Sequence, residues 1–297
     1  MNMLRRILIA VLALASAMCM VAQGDPLVEA LRKYQAGELE KARELIDLAV
    51  TTPEHLEDPE AWLLRGFVYK DAYKAATAQD QGDALRSDAI QSLFTSMELD
   101  SAGTYRENAK QAYDYLSRSY FNDAAKALNE LEDERALSMF GKYKDATLQL
   151  EPKADTWKRE TEFMNALGTV YTKRFNQDRT DLSWFEKAID AYQQVLVMDA
   201  ENYGANYNLA TLFYNRGVYN IQRINADDEI PTILQIQEAS REFFQDALPY
   251  MLKAHDMNPS RRETLLGLEG IYYSLQDQES SDKFRELFEE LPPEENR

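Results

Sequence analysis

His55 and His255 are the only histidines in the 297-residue chain, and Cys19 is its only cysteine. Those three residues carry the imidazole and thiol chemistry that the sequence offers near neutral pH, none sits in a pattern that would use it, and no serine, histidine and aspartate fall at helical spacing as a cluster. His55 falls between two helical stretches. His255 follows Ala254 near the end of another, where it packs or caps. No H-E-x-x-H, phosphate-binding glycine loop or dinucleotide fingerprint occurs. Asp227, Asp228 and Glu229 are consecutive, so they lack the alternating oxygen ligands and closing glutamate of a helix-loop-helix calcium site. With 51 acidic residues, some carboxylate pair always lies at acid–base spacing, and none stands above the rest. The expectation is a protein without catalytic residues, metal site or cofactor.

Charge narrows the partners. The 51 acidic residues against 33 basic give a formal charge of −18. Such a balance opposes phosphate backbones and anionic lipid heads. Nucleic acid is therefore not an expected partner, and a protein or peptide is.

The first residues read as targeting information. Arg5 and Arg6 precede an uncharged, mostly apolar run from Ile7 to Ala22. That run is short for a membrane span, which needs about 20 residues, and has the layout of a secretory signal peptide over residues 1–22. Cleavage is expected after Ala22, where the turn-like Gln23-Gly24-Asp25-Pro26 begins, in preference to Ala17. Met18 directly before Cys19 argues against a lipid anchor. Removal of the segment takes Cys19 with it and excludes a disulfide framework from the mature chain. The expected location is the periplasm or cell envelope of a Gram-negative bacterium.

The remaining residues, 23–297, carry apolar side chains at three- and four-residue spacing nearly throughout, with few glycines and prolines, so the chain reads as all helix. One pattern recurs. First helices show a bulky residue, a small one, then an aromatic: Trp62, Gly66, Tyr69; Leu167, Gly168, Tyr171; Leu209, Ala210, Phe213. Second helices show alanine, a large residue four places on, then a small one: Ala42, Ile46, Ala49; Ala89, Leu93, Ser96; Ala188, Tyr192, Val195; Ala247, Met251, Ala254. Small residues admit a close helix partner and large ones fill the space beside it. This pattern resembles the tetratricopeptide repeat family, in particular its exported bacterial members. The resemblance implies a right-handed superhelical solenoid of antiparallel helix pairs, each covering the apolar flank of the last.

Six pairs are expected, at about 26–50, 60–99, 104–150, 156–198, 202–257 and 261–291. Asp25-Pro26 and Asp58-Pro59 place a cap before a first-turn proline. Thr104 with Glu107, Ser183 with Glu186 and Ser260 with Glu263 have capping-box spacing. Extra residues fall within pairs, at 75–87, 176–182 and 217–236, as insertions or extended helices along one edge.

In such a solenoid the first helices line a concave groove. The residues expected to face it are Leu63, Phe67 and Lys70; Asn165, Thr169 and Lys173; Tyr207, Thr211, Tyr214 and Asn215; and Tyr273. Tyr207 and Asn215 are the strongest single candidates. Family members that hold a peptide's terminal carboxylate use a lysine, arginine and asparagine cluster here; Leu63, Phe67 and Tyr207 depart from it. The functional expectation is a non-enzymatic scaffold or adaptor that binds a protein or peptide in the groove. The alternative is a structural or assembly subunit, peripherally associated with an envelope complex, acting through the convex face or the insertion ridge.

Overall fold

The computed structural model describes residues 24–292; the expected signal segment, with Arg5, Arg6 and Cys19, lies outside them. Among the described residues there are twelve helices and no strand. They are α1 (Pro26–Gln35), α2 (Leu39–Ala49), α3 (Pro59–Ala75), α4 (Gln79–Leu99), α5 (Arg106–Asn129), α6 (Asp133–Leu150), α7 (Trp157–Gln177), α8 (Leu182–Met198), α9 (Tyr203–Gln222), α10 (Ile230–Met257), α11 (Arg262–Ser274) and α12 (Gln278–Glu289). Successive helices pack as antiparallel pairs, and within each unit the second helix of a pair packs on the first helix of the next (α2 on α3, α8 on α9, α10 on α11). This arrangement is consistent with a tetratricopeptide-like helical-pair solenoid.

The chain forms two compact units. One comprises residues 24–123 and 139–154, the other 124–138 and 155–292. Helix α5 passes from the first to the second after Asp123, and α6 returns after Ser138.

In the first unit, Ala30, Ala42, Ile46 and Ala49 join Leu64 and Val68 in a buried cluster between the first two pairs. Gly66 lets α3 approach α4: a Cβ there would lie 2.6 Å from the Leu93 side chain, far inside van der Waals contact. The third pair is fastened by Tyr113 of α5, which donates to the Ala146 carbonyl of α6 at 2.7 Å. Between the second and third pairs lies a fully buried guanidinium, Arg86. It meets Asp83 at 2.6 Å and Asp123 at 2.8 Å, donates to Ser119 Oγ at 2.9 Å, and lies 3.9 Å over the Tyr120 ring.

In the second unit the same logic repeats with larger partners. Gly168 of α7 faces Tyr192 of α8, and Gly217 of α9 faces Phe244 of α10. Gly267 of α11 faces Met251 of α10, one pair back. Ala188, Ala247, Ala254, Leu209 and Ala210 have no exposed surface, and Leu167, Tyr171 and Phe213 are buried with them. Tyr171 stands 5.9 Å from the Trp184 ring, and burial, with the Asp133 charge adding to it, pushes its phenol up to about 12. In the first unit Ala89 is fully buried and Tyr69 nearly so, while Trp62 is half-buried and donates its ring N–H to the Leu56 carbonyl at 2.8 Å.

Helix starts follow the acidic residues. The Asp25 carboxylate accepts from Leu27 N at 2.8 Å and that of Asp58 from Glu60 N at 2.9 Å, as the Asp-Pro steps imply. The three expected capping boxes do not form. Asp100 accepts the amides of Thr104, Tyr105 and Arg106, and α5 starts after Thr104. Asp181 caps α8 through Ser183 N. At α11 the cap position is Arg261, with no side-chain bond. At α5 and α8 an aspartate upstream of the hydroxyl, Asp100 or Asp181, accepts first-turn amides with a full charge and moves the cap away from the hydroxyl.

The expected insertions are mostly helix. Helix α3 ends at Ala75 and α4 resumes at Gln79; α7 runs to Gln177 before α8 starts at Leu182; α9 runs to Gln222 before α10 starts at Ile230. The extra residues lengthen both members of a pair, and the polar run from Asn225 to Glu229 is the loop between them.

His55 joins the first two pairs. It is buried, and its Nε2 lies 2.9 Å from Asp25 Oδ1, its Nδ1 3.3 Å from Asp58 Oδ2. Its ring thus links the caps of α1 and α3. Burial alone would pull its pKa down, but the bonds and charges of Asp25, Asp58 and Glu54 outweigh it and hold the pKa above 6.5. Burial pushes Asp25 up, and the Leu27 amide and His55 outweigh it, leaving it below 3.8. A raised histidine pKa stabilises the fold below about 6.5 and loses that contribution as pH rises through the folded value. The lowered Asp25 pKa acts in the opposite direction, at acid pH. Wild-type stability should therefore fall, relative to His55→Gln, as pH rises from 6 to 8.5. Urea midpoints across that range measure it, and parallel curves for the two proteins would remove His55 from this role.

Candidate functional site

The expected groove residues separate into distinct environments. In the first unit, Leu63 is buried and belongs to the packing, whereas Phe67 and Lys70 are half-buried, with Lys70 Nζ 4.6 Å from the Phe67 ring centroid. In the second unit, Asn165 donates to Asn202 Oδ1 at 3.0 Å, and Asn202 caps α9, so Asn165 ties α7 to the next pair. Lys173 is exposed. Tyr207 stacks on Tyr203 at 5.9 Å, and Tyr203 donates to or accepts from Thr264 Oγ1 at 2.8 Å. The Tyr214 hydroxyl lies 2.7 Å from where a Gly270 Cβ would stand, so that ring fills the α9–α11 contact. Thr169, Thr211, Asn215 and Tyr273 line open cavities.

Three of those four meet in one place. A notch of about 110 Å³ opens between α7 and α9. Thr169, Thr172 and Asn176 form one wall, and Asn208, Thr211 and Asn215 form the other. Phe175, Leu212 and Tyr192 close its base, and Arg179 stands at one end. Tyr192 reaches in from α8 because Gly168 leaves room for its ring. Its hydroxyl lies 3.3 Å from Thr169 Oγ1 and 3.4 Å from Thr172 Oγ1. Burial pushes its pKa up, and the hydrogen bonds with Thr169, Thr172 and Asn208 oppose that only in part.

The lining contains no carboxylate, histidine or lysine. Its hydroxyls and amides can each both donate and accept. That set suits neutral polar groups that also do both, such as the peptide unit of an extended chain. It holds no acid–base or nucleophile–base pair for a reaction.

Thr172, Asn176, Asn208 and Arg179 are absent from the groove residues expected from sequence. A signal for them exists. Thr169, Thr172 and Asn176 are spaced three and four apart, and so are Asn208, Thr211 and Asn215. Both stripes occupy one helix face. Register by the repeat pattern (Gly168 with Ala210) offsets them by one turn, and reading across that offset brings the two stripes together.

A second, larger cavity of about 650 Å³ lies at the far ends of α9 and α10 and the α11–α12 turn. Val218, Ile221, Leu234, Phe244 and Tyr273 give it apolar surface, and Gln237, Glu238 and Arg241 give it polar surface. Tyr273 is 68% exposed there. Gln276 holds its turn in the left-handed region, at φ 64°.

Among the described residues, Asp25, Glu54 and His55 bring ligand-type atoms within 4.8 Å of one another. Both ring nitrogens of His55 already face carboxylates that cap helices. The group is accounted for as the link between the first two pairs. No helix among the described residues is long and apolar enough to cross a membrane. No protein-family model matches the chain, and no curated protein is significantly similar to it.

Proposed function

We propose that the chain is a non-enzymatic adaptor that takes an extended polypeptide segment across the first helices of its second unit. The observation that carries this is the notch: two facing stripes of threonine and asparagine, without a carboxylate, over a floor of Phe175 and Leu212. Asparagine amides bond main-chain N–H and C=O together, which fixes a strand-like segment without reading its side chains. The chain acts after export, in the periplasm or at the envelope of a bacterium. The support for that is the layout of Arg5, Arg6 and the apolar run from Ile7 to Ala22.

A second reading has its own observation. The 650 Å³ cavity lies where the extended ends of α9 and α10 project, and its exposed Leu234 and Tyr273 suit an apolar anchor from a folded partner. In that reading the insertion edge is the working surface of an assembly subunit.

Selection of a displayed peptide library against the full-length chain separates the two. Loss of two side-chain amides should weaken notch-bound peptides roughly tenfold, at about 0.5–1.5 kcal/mol per hydrogen bond. Asn208→Ala with Asn215→Ala is therefore expected to weaken the selected peptides, while Leu234→Ala with Tyr273→Ala leaves them unchanged. The reverse pattern moves the site to the insertion edge. Peptides indifferent to both pairs would remove the notch as the site.

A further inference from the structure

Three arginines surround one ring at the end of the notch. The Arg179 guanidinium carbon lies 4.9 Å from the Tyr219 ring centroid, and those of Arg216 and Arg223 each lie 5.7 Å from it. Three like charges on one ring repel one another. The usual remedy in so acidic a chain would be a neighbouring carboxylate, as Arg65 has in Asp47 at 2.8 Å and Arg86 in Asp83. Here no aspartate or glutamate among the described residues comes within ion-pair distance of Arg179, Arg216 or Arg223.

Three acids of the two adjoining turns bond groups other than these arginines, although Asp228 and Arg223 line one cavity. Asp178 accepts from the amide and hydroxyl of Thr180, at 3.0 and 2.6 Å. Asp181 caps α8 through Ser183. Asp228 accepts from Asn225 N at 2.8 Å. Burial, and then the charges of Arg223 and Arg179, pull the Arg216 pKa down against the opposing effect of Tyr219; no carboxylate is among the groups acting on it.

Two of the arginines are also held in position. Arg216 donates to the Arg179 carbonyl at 3.4 Å, and Arg179 donates to Asn176 Oδ1 at 3.2 Å. Asn176 and Arg179 both line the notch, so the charged cluster continues it. Tyr219 contributes its ring face, which attracts cations and leaves guanidinium edges for a ligand.

We propose that Arg179, Arg216 and Arg223 form an anion site that receives the side-chain carboxylates of an acidic peptide segment. A guanidinium edge pairs with a carboxylate through two parallel bonds. The adjoining hydroxyls and amides suit a main chain, which makes a peptide the carrier of the charge rather than a free anion. The peptide assignment rests on the notch reading above; the anion site itself stands on the arginine cluster.

Two hexapeptides test it against the full-length chain by calorimetry in low salt. One alternates alanine with glutamate and the other alanine with glutamine, both acetylated and amidated so that no terminal charge takes part. Inorganic pyrophosphate is the third probe. The glutamate peptide should bind at least tenfold more tightly than the glutamine peptide, and Arg179→Ala with Arg223→Ala should abolish that difference. Raising the salt should narrow it too, since exposed charges are screened. Arg223→Lys should retain part of the preference, which guards against misfolding as the cause of loss. Equal binding of the two peptides, or a preference that survives the arginine variants, overturns the proposal. Pyrophosphate binding more tightly than the glutamate peptide through the same arginines overturns the carboxylate assignment. A glutamate preference that depends on the arginines but ignores Asn208→Ala with Asn215→Ala leaves the anion site standing and removes the notch reading alone.

Discussion

Arg86→Ala is expected to cost about 3 kcal/mol of folding free energy, the low end of the range for removing one partner of a buried ion pair. The guanidinium has no exposed surface, and it bonds side chains from α3, α4 and α5: Tyr73 at 3.2 Å, Asp83 at 2.6 Å, Ser119 at 2.9 Å. Truncation removes the guanidinium that Asp83 and Asp123 share, in a site whose other walls are the Tyr73 and Tyr120 rings. Asp123 keeps about a third of its side-chain surface in water, which places the cost at the low end of the range. Arg86→Met combined with Asp83→Asn and Asp123→Asn should recover most of the loss, because a neutral, volume-matched replacement removes the desolvation cost along with the attraction. In a Trp157→Phe, Trp184→Phe background, Trp62 reports on the first unit during urea unfolding. A loss under 1 kcal/mol for Arg86→Ala would show that the network is not needed for stability.

Arg86 also marks a limit of reading this fold from sequence. Alanine, glycine and aromatic spacing locates the helix pairs because each pair meets its neighbour through a few fixed positions. Gly66 and Gly168 do stand at close crossings. An arginine between Leu85 and Ser87 carries no mark of burial. Its partners, with Met139 of α6 among them, come from four helices, and only their packing brings them together. Asp25 and Asp58 cap their helices as the Asp-Pro steps imply, but the three hydroxyl capping boxes do not form, for a related reason. At α5 and α8 the boxes compete with the upstream aspartates Asp100 and Asp181, and spacing alone does not say which group reaches the amides first. By spacing Gly217 falls at the start of an insertion, yet in the fold it makes the third close crossing of its kind, against Phe244. The notch was partly legible, through Thr169, Thr211 and Asn215. Its other half was hidden because facing residues lie one turn out of register between α7 and α9. Tyr207, expected in the groove, is half-buried and stacks on Tyr203, whose hydroxyl pairs with Thr264 of α11; spacing on α9 alone does not show that partner.

The strongest test of the repeat logic is the Gly168–Tyr192 crossing, where Tyr192→Ala is expected to cost about 3–5 kcal/mol, the range for emptying a large aromatic site. Tyr192 is 1% exposed, and its ring fills the space that the missing Cβ of Gly168 leaves. Gly168→Ala in the native background sets a methyl 2.6 Å from the ring. Overpacking of that kind costs about 1–3 kcal/mol, offset by about 1 kcal/mol of improved helix propensity. Once Tyr192 is alanine, the clash is gone and only the propensity gain is left. The same Gly168→Ala change should then be neutral or stabilise by up to about 1 kcal/mol. The two substitutions must therefore be non-additive, with a coupling on the order of 1–3 kcal/mol in a double-mutant cycle. In a Trp62→Phe background, Trp157 and Trp184 follow the second unit during unfolding. Additive effects would mean that α7 and α8 do not meet at this glycine, and the small-against-large reading of the whole series, from Gly66 with Leu93 onward, would fail with it.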